Sequence, residues 1–386
     1  MTADALQGRL QSLDAFRGFT IASMVLVNNP GDWASIYAPL RHAAWNGWTF
    51  TDSIFPFFLF ISGMSMYLSI RRGQAAGMTA SLLHWRMQRR ALTIILIGLA
   101  LNFVPSFDWE TLRWPGVLQR IGLCASVAAP ALLLLGWRAQ ALLIVVLLAT
   151  YSGVMLGVPV MDTNGRVVTG VLEPGRDVGA YLDRLLMSGH LWSQSRTWDP
   201  EGLLSTVPAV ATFLSGALAG RWIMSESSAA DKTIWMMIAG LLALWLGVAL
   251  DALLMPINKS LWTPSYCVLM TGWALLVFSV CYWLLDACDD NRVRATSEKC
   301  ARPMLIYGVN ALFMFAFSGL VARMLGYFRI ESVPGQSVST KQWLFGHLAR
   351  LPLSPVDASL LYAILFNVAM FAVAWLLWRG KIFIKV

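Results

Sequence analysis

Apolar residues in this chain come in long runs, interrupted only by small uncharged residues, rather than at the three-and-four spacing of a water-facing helix. The runs from Ile54 to Ile70 and from Ala141 to Val158 are typical. About 20 apolar residues in a helix cross the ~30 Å hydrocarbon layer of a bilayer, and the pattern predicts ten such spans. They lie near 15–33, 49–70, 91–106, 114–135, 139–159, 203–224, 232–252, 262–285, 302–324 and 356–378. The expected fold is therefore all-α: a polytopic membrane helix bundle forming a single domain over residues 1–386. Two larger outer loops interrupt the pattern, at 160–202 and 325–355.

Composition agrees. Of 386 residues, 57% are hydrophobic and 13% charged, against roughly 25% charged in soluble domains. The opening segment is polar and contains acids, so it does not read as a cleaved signal peptide. Ten spans put both termini on one side, and the cations decide which. Seventeen of the 29 Lys and Arg fall in segments that are cytoplasmic if the termini are inside, and only Arg41, Arg113 and Lys259 fall in the short outer loops. Long loops translocate with little regard for charge, so the termini are expected in the cytoplasm of an inner-membrane protein. The net charge of +8 then reports this bias and implies no nucleic-acid partner. The five cysteines have no CxxC spacing and read as buried thiols, not as a disulfide framework or zinc site. No metal is expected. The absence of a visible internal repeat disfavours the commonest transporter architectures.

The densest polar group runs from Asn28 to Asp52, on the outer face between the first two spans. Asp52 opens an apolar helix, which is costly unless the carboxylate is paired or faces a wet cavity. His42 lies ten residues upstream, with Asn46 between them. Such a set suits acyl transfer to an amine. A histidine takes the amine proton near neutral pH, a carboxylate orients the imidazole, and amides from Asn28 or Asn46 hold the developing oxyanion. The plainer alternative makes His42 an ordinary loop histidine and Asp52 a helix cap. His84, His190 and His347 have no comparable cluster beside them.

A second set consists of arginines expected to face the cytoplasm: Arg9 and Arg17 around the first span, and Arg120 inside the fourth. Guanidinium groups bind phosphates in a bidentate way, whereas Arg9 and Arg17 also serve as topology signals and Asp14 is a possible ion-pair partner for Arg17 or Arg120. Tryptophans at span ends fit an interfacial belt, with a few in the outer loops free to stack on sugar.

At these residues the chain resembles a known family. LDAFRGF, HAAWNGWTFTDSIFPFFLFISGMS, PGVLQRIG, DPEGLLSTVPA, INKSLWTPSY and the terminal IFIKV are similar to the heparan-alpha-glucosaminide N-acetyltransferase family, in particular its bacterial NagX-like members. The resemblance implies a membrane enzyme that moves acetyl from cytosolic acetyl-CoA to a glucosamine amine on the far side. It implies catalytic roles for His42, Asp52, Asn46 and Asn28, with Asn29 an alternative to Asn28. It places Arg9, Arg17 and Arg120 near the cofactor, and Trp262, Ser265 and Asn310 occupy other positions characteristic of the family; Ser265 and Asn310 are taken as further cofactor-binding candidates, and Trp45, Trp198 and Trp262 as sugar-binding candidates. It also implies a homodimer. Against the animal enzyme, the resemblance leads one to expect no large lumenal N-terminal region here, and hence a small acceptor such as glucosamine or a short chitin-derived oligosaccharide. Direct attack by the amine and a covalent acetyl-histidine both remain open. Rivals from other classes are a carrier for N-acetylglucosamine or chitobiose and an O-acyltransferase acting on envelope polysaccharide.

Overall fold

The computed structural model describes residues 10–333 and 336–384; Arg9 and the last two residues of the terminal motif lie outside them. Its helices are α1 (Gln11–Val27), α2 (Phe50–Ala75), α3 (Ala80–Phe103), α4 (Val117–Leu134), α5 (Trp137–Gly157), α6 (Val178–Met187), α7 (Thr206–Ile223) and α8 (Ala229–Leu253). They continue with α9 (Pro264–Tyr282), α10 (Asn291–Val309), α11 (Ala311–Tyr327), α12 (Thr340–Leu348) and α13 (Pro355–Arg379). Two small antiparallel hairpins complete the fold: β1 (Val160–Met161) with β2 (Val167–Val168), and β3 (Arg329–Val333) with β4 (Gln336–Ser339).

The bundle is all-α and of membrane type. Among the described residues six helices are long and apolar enough to cross a bilayer, or seven if the bent α10–α11 pair forms one span. Reaching ten also needs α1, α3 and α7 to cross. Of these, α1 has only 17 residues, and α3 carries Arg86, Arg89 and Arg90 in its first half. The packing of α1 and α7 explains why these two need less lipid-facing surface. α2 is the central helix, with every residue from Thr51 to Ile61 buried, and α1 and α7 pack directly on it. Apolar side chains point outwards instead on α8 (Trp235, Leu242, Trp245) and α13 (Leu365, Val368, Leu376), as a lipid-facing surface requires.

Close approach among the inner helices rests on glycine. A Cβ at Gly63 of α2 would stand 1.8 Å from the Phe213 carbonyl oxygen of α7, and one at Gly216 of α7 would stand 1.9 Å from Phe60 O. In a bilayer, where apolar side chains gain nothing by leaving lipid, such small-residue contacts are what hold helices together.

The ends of the bundle are chemically unlike. α2, α4, α7, α9 and α13 all begin at one end, where residues 158–205 fold into β1–β2, α6 and a Trp-rich turn. The segment 328–354 adds β3–β4 and α12 at the same end. Both predicted outer loops are thus structured. At the opposite end the backbone N–H groups of Gln11 and Ser12 donate to Asp286 at 3.0 and 2.9 Å, joining the start of α1 to the end of α9. One predicted span is corrected: residues 302–324 are not continuous. The chain bends by 74° between α10 and α11, at Asn310. Its amide donates to Ile382 O (2.9 Å) and its Oδ1 accepts from Ile384 N–H (2.9 Å), so the break serves to hold the C-terminal segment.

Candidate active site

The site starts from a local sequence signal. Thr49 and Asp52 form a capping box at the start of α2, and Asp52 is 1% exposed. Its Oδ2 accepts from Thr49 N–H (3.1 Å) and Ala43 N–H (3.0 Å), so the loop 41–49 is wound around one carboxylate. The Thr49 hydroxyl closes that loop by donating to Arg41 O at 2.6 Å. Pro56 contributes from inside the helix. It has no N–H, so the carbonyl four residues earlier, Asp52 O, lacks its helical partner. The buried Tyr266 hydroxyl of α9 donates to that oxygen at 2.6 Å. Asp52 is thereby held through both side chain and backbone.

On this base sits His42. Its Nδ1 lies 2.7 Å from Asp52 Oδ1, and its side chain is 47% exposed. A carboxylate and a ring nitrogen that close need a proton between them, so the network assigns the hydrogen to Nδ1 and leaves the lone pair on Nε2. The imidazole is therefore oriented from below and open from above.

Lys259 is the neighbour that sequence reasoning missed. Its Nζ is 3.0 Å from His42 Nδ1 and 3.3 Å from Asp52 Oδ1. Since Nδ1 already carries a hydrogen, the ammonium has the carboxylate as its acceptor. The turn that presents it is tightly wired. Asn258 Oδ1 accepts from Leu261 N–H (2.9 Å), Thr263 Oγ1 accepts from Asn258 N–H (3.0 Å), and Tyr151 OH donates to Leu261 O (2.5 Å). Asn258 Nδ2 also donates to Asn46 Oδ1 at 3.2 Å, which engages the Asn46 oxygen and leaves its NH2 group to donate elsewhere. The available signal was INKSLWTPSY itself, whose lysine is one of few cations in a short outer loop.

Behind the lysine lies a charged layer. Arg113 grips Asp199 with Nε and Nη2 (2.8 and 2.5 Å) and reaches Glu201 at 2.5 Å. Burial works against the Arg113 charge, yet these two carboxylates outweigh it and hold the guanidinium pKa above its usual value. Burial likewise favours neutral Glu201, but Arg113, Arg120 and Lys259 pull it below the carboxylate range. Asp183 is pushed up to about 6, mainly by burial, while accepting from Asp199 N–H and Leu203 N–H. Lys259 is lowered by burial, with Asp52 and Glu201 opposing.

Several expected positions are corrected. Arg120 is not at the end where α1 begins: it sits one turn into α4, at the same end as His42, and is 1% exposed. Its Nη2 donates to Gly202 O (3.1 Å) and Ser205 Oγ (2.5 Å), and its guanidinium lies over the Trp262 ring at 5.2 Å. Ser265 is fully buried at that end, donating to Met255 O at 2.7 Å. Trp262 is also fully buried, packed between Phe55, Tyr266 and Arg120, so no sugar can stack on it. Trp45 and Trp198 remain half-buried and meet edge to face at 5.2 Å. Asn28 is exposed at the end of α1, and the Asn29 amide donates to Val25 O at 2.7 Å; neither is bonded to His42.

Arg17 and Asn310 lie at the far end. Arg17 pairs with Asp14 (2.9 Å) and donates to Ser65 Oγ (2.8 Å). Ser65 is 13 residues along α2 from Asp52, about 20 Å of helix. Arg90 of α3 is within electrostatic range of Arg17.

Comparison with known proteins completes the description. The family model described as heparan-alpha-glucosaminide N-acetyltransferase, catalytic, matches residues 9–249. Human (Homo sapiens) heparan-alpha-glucosaminide N-acetyltransferase is 30% identical, over 73% of this chain and 50% of its own length. The mouse (Mus musculus) protein of that name is 28% identical, over 72% and 49%. The chain spans about half the length of the curated relatives it matches.

Proposed function

This chain belongs to the heparan-alpha-glucosaminide N-acetyltransferase family, and from that membership we propose that it acetylates the amine of a glucosamine-type sugar with acetyl-CoA, across the membrane. The observation that carries the reading is the half-exposed imidazole seated on a buried carboxylate, His42 on Asp52 at 2.7 Å. Nε2 of His42 takes a proton from the amine as its nitrogen attacks the thioester carbonyl. The new N–C bond replaces the C–S bond, and the imidazolium, stabilised by Asp52, returns the proton to the departing thiolate. The Asn46 NH2 group is the donor for the oxyanion. Trp45 and Trp198 offer aromatic faces to the sugar ring.

The donor enters from the opposite end. Cations crowd there, with Arg71, Arg72, Arg86, Arg89, Arg90, Arg292, Arg294 and Arg302 in the sequence around it, which supports reading it as the cytoplasmic side. Two like charges in range of one another, Arg17 and Arg90, suit the phosphates of coenzyme A. From there the pantetheine arm extends towards His42 over the ~20 Å of helix between Ser65 and Asp52.

Purified protein in detergent tests this directly. Wild type turns over acetyl-CoA with glucosamine but not with N-acetylglucosamine, which has no free amine. His42→Ala loses turnover and keeps acetyl-CoA binding. A fully active His42→Ala protein ends the assignment, and sugar flux into proteoliposomes without acetyl-CoA, surviving the same change, replaces the enzyme with a carrier.

A further inference from the structure

The apolar part of α3 is too short to cross a bilayer. Residues 91–103 include no Lys, Arg, Asp or Glu, but at 1.5 Å per residue they cover only about 20 Å of a hydrocarbon layer ~30 Å thick. Arg86 and Arg89, just before this stretch, therefore lie below the headgroup level. We infer that Arg86 and Arg89, with Trp85, bind the phosphate of an anionic phospholipid in the leaflet at the end where α1 begins.

Exposure along α3 identifies the face. Leu82, Trp85, Arg89, Leu92 and Leu96 are all exposed, and their spacing of three and four residues puts them on one stripe. Leu92 and Leu96 make that stripe lipid-facing, as on α8 and α13. Trp85 marks the headgroup level, the usual place of an indole, and Arg89 comes one turn deeper. α2 gives the same level. Its last cations, Arg71 and Arg72, lie within about 6 Å of its end, whereas Arg89 lies about 14 Å beyond the start of α3.

A cation at that depth needs a counter-charge, and the surrounding helices offer none. α3 packs mainly on α4 and also meets α11, and none of the three contains Asp or Glu. The one acid of α2 is Asp52, at its opposite end. Among the described residues the Arg89 guanidinium has no hydrogen-bond or ion-pair partner, and Arg86 has only the Met78 thioether at 2.9 Å. Long stems let both guanidinium groups rise towards the headgroups, where a phosphodiester accepts from them in a bidentate way. The acyl chains then lie along Leu92 and Leu96. A headgroup with no ammonium of its own leaves its phosphate to the arginines, which selects phosphatidylglycerol over phosphatidylcholine. Arg90 is off this stripe and within electrostatic range of Arg17.

Native mass spectrometry of the purified protein, titrated in detergent with either lipid carrying the same acyl chains, reads the preference. Wild type binds the first phosphatidylglycerol about tenfold more tightly than phosphatidylcholine, and Arg86→Gln/Arg89→Gln removes that difference. Arg86→Lys/Arg89→Lys keeps part of it, because the charge remains while the bidentate geometry is lost. Arg292→Gln/Lys299→Gln takes the same charge from exposed positions on α10 and leaves the preference intact. Arg89→Gln alone is the second variant if the double one does not fold, and it weakens the preference. An undiminished preference in a folded Gln variant overturns the inference, and so does an equal loss in the α10 control, which would report bulk charge. Excess acetyl-CoA leaves the bound lipid in place; displacement would assign these arginines to a nucleotide and overturn the lipid site. Lipid binding needs no turnover, so its failure leaves the acetyl-transfer reading standing, and absence of transfer leaves the lipid titration valid.

Discussion

Asp52 shows how one residue serves two purposes at once. As the third residue of the capping box it starts α2, and as the acceptor for His42 and Lys259 it organises the site. Pro56 adds a constraint, because it frees the Asp52 carbonyl that Tyr266 then binds. Tyr266→Phe should therefore leave a buried carbonyl unsatisfied and cost about 1–3 kcal/mol of stability, read by thermal unfolding in detergent. Turnover should fall with it, as α2 loses its tie to α9. An unchanged melting temperature would mean that water or another donor takes the place of the hydroxyl. The pairing of His42 with Asp52 was legible because ten residues and one capping signal join them. Lys259 was not legible: it is 217 residues from His42, and nothing in the spacing of either motif says that the two turns meet.

Helix elements were readable where apolar runs were long, and misread where a run hid a break. The segment 302–324 looks continuous in hydropathy, yet Asn310 bends it because its side chain finds partners in the C-terminal segment. Nor does hydropathy reveal which helices lie inside. That depends on glycine: Gly63 of α2 and Gly216 of α7 bring their backbones into contact. Gly63→Val should force those helices apart and cost about 1–3 kcal/mol, or prevent stable assembly. The check is the fraction of protein remaining monodisperse on heating, with Gly136→Val as control, since a Cβ at Gly136 meets nothing within 4 Å. Equal loss in both variants would argue against a glycine-dependent contact.

For the whole molecule, orientation is the property with the most direct test. Gln194 is exposed on the Trp-rich turn at the His42 end, and the native Cys300 is exposed on α10 at the other. With cytoplasmic termini, a membrane-impermeant thiol reagent labels Gln194→Cys in intact cells and reaches Cys300 only after permeabilisation. The opposite pattern would invert the bundle and put the imidazole on the side that holds acetyl-CoA. What the sequence determined by itself was the membrane class and most helices; the sidedness expected from the cations and the candidate pairing of His42 with Asp52 were also readable there. All of these follow from local composition or short spacing. Tertiary structure alone decided that Arg120, Ser265 and Trp262 are buried supports at the His42 end, that α2 is central, and that Lys259 joins the site. Burial and long-range charge pairing are properties of which helices touch, and that is settled by close packing between segments far apart in the chain.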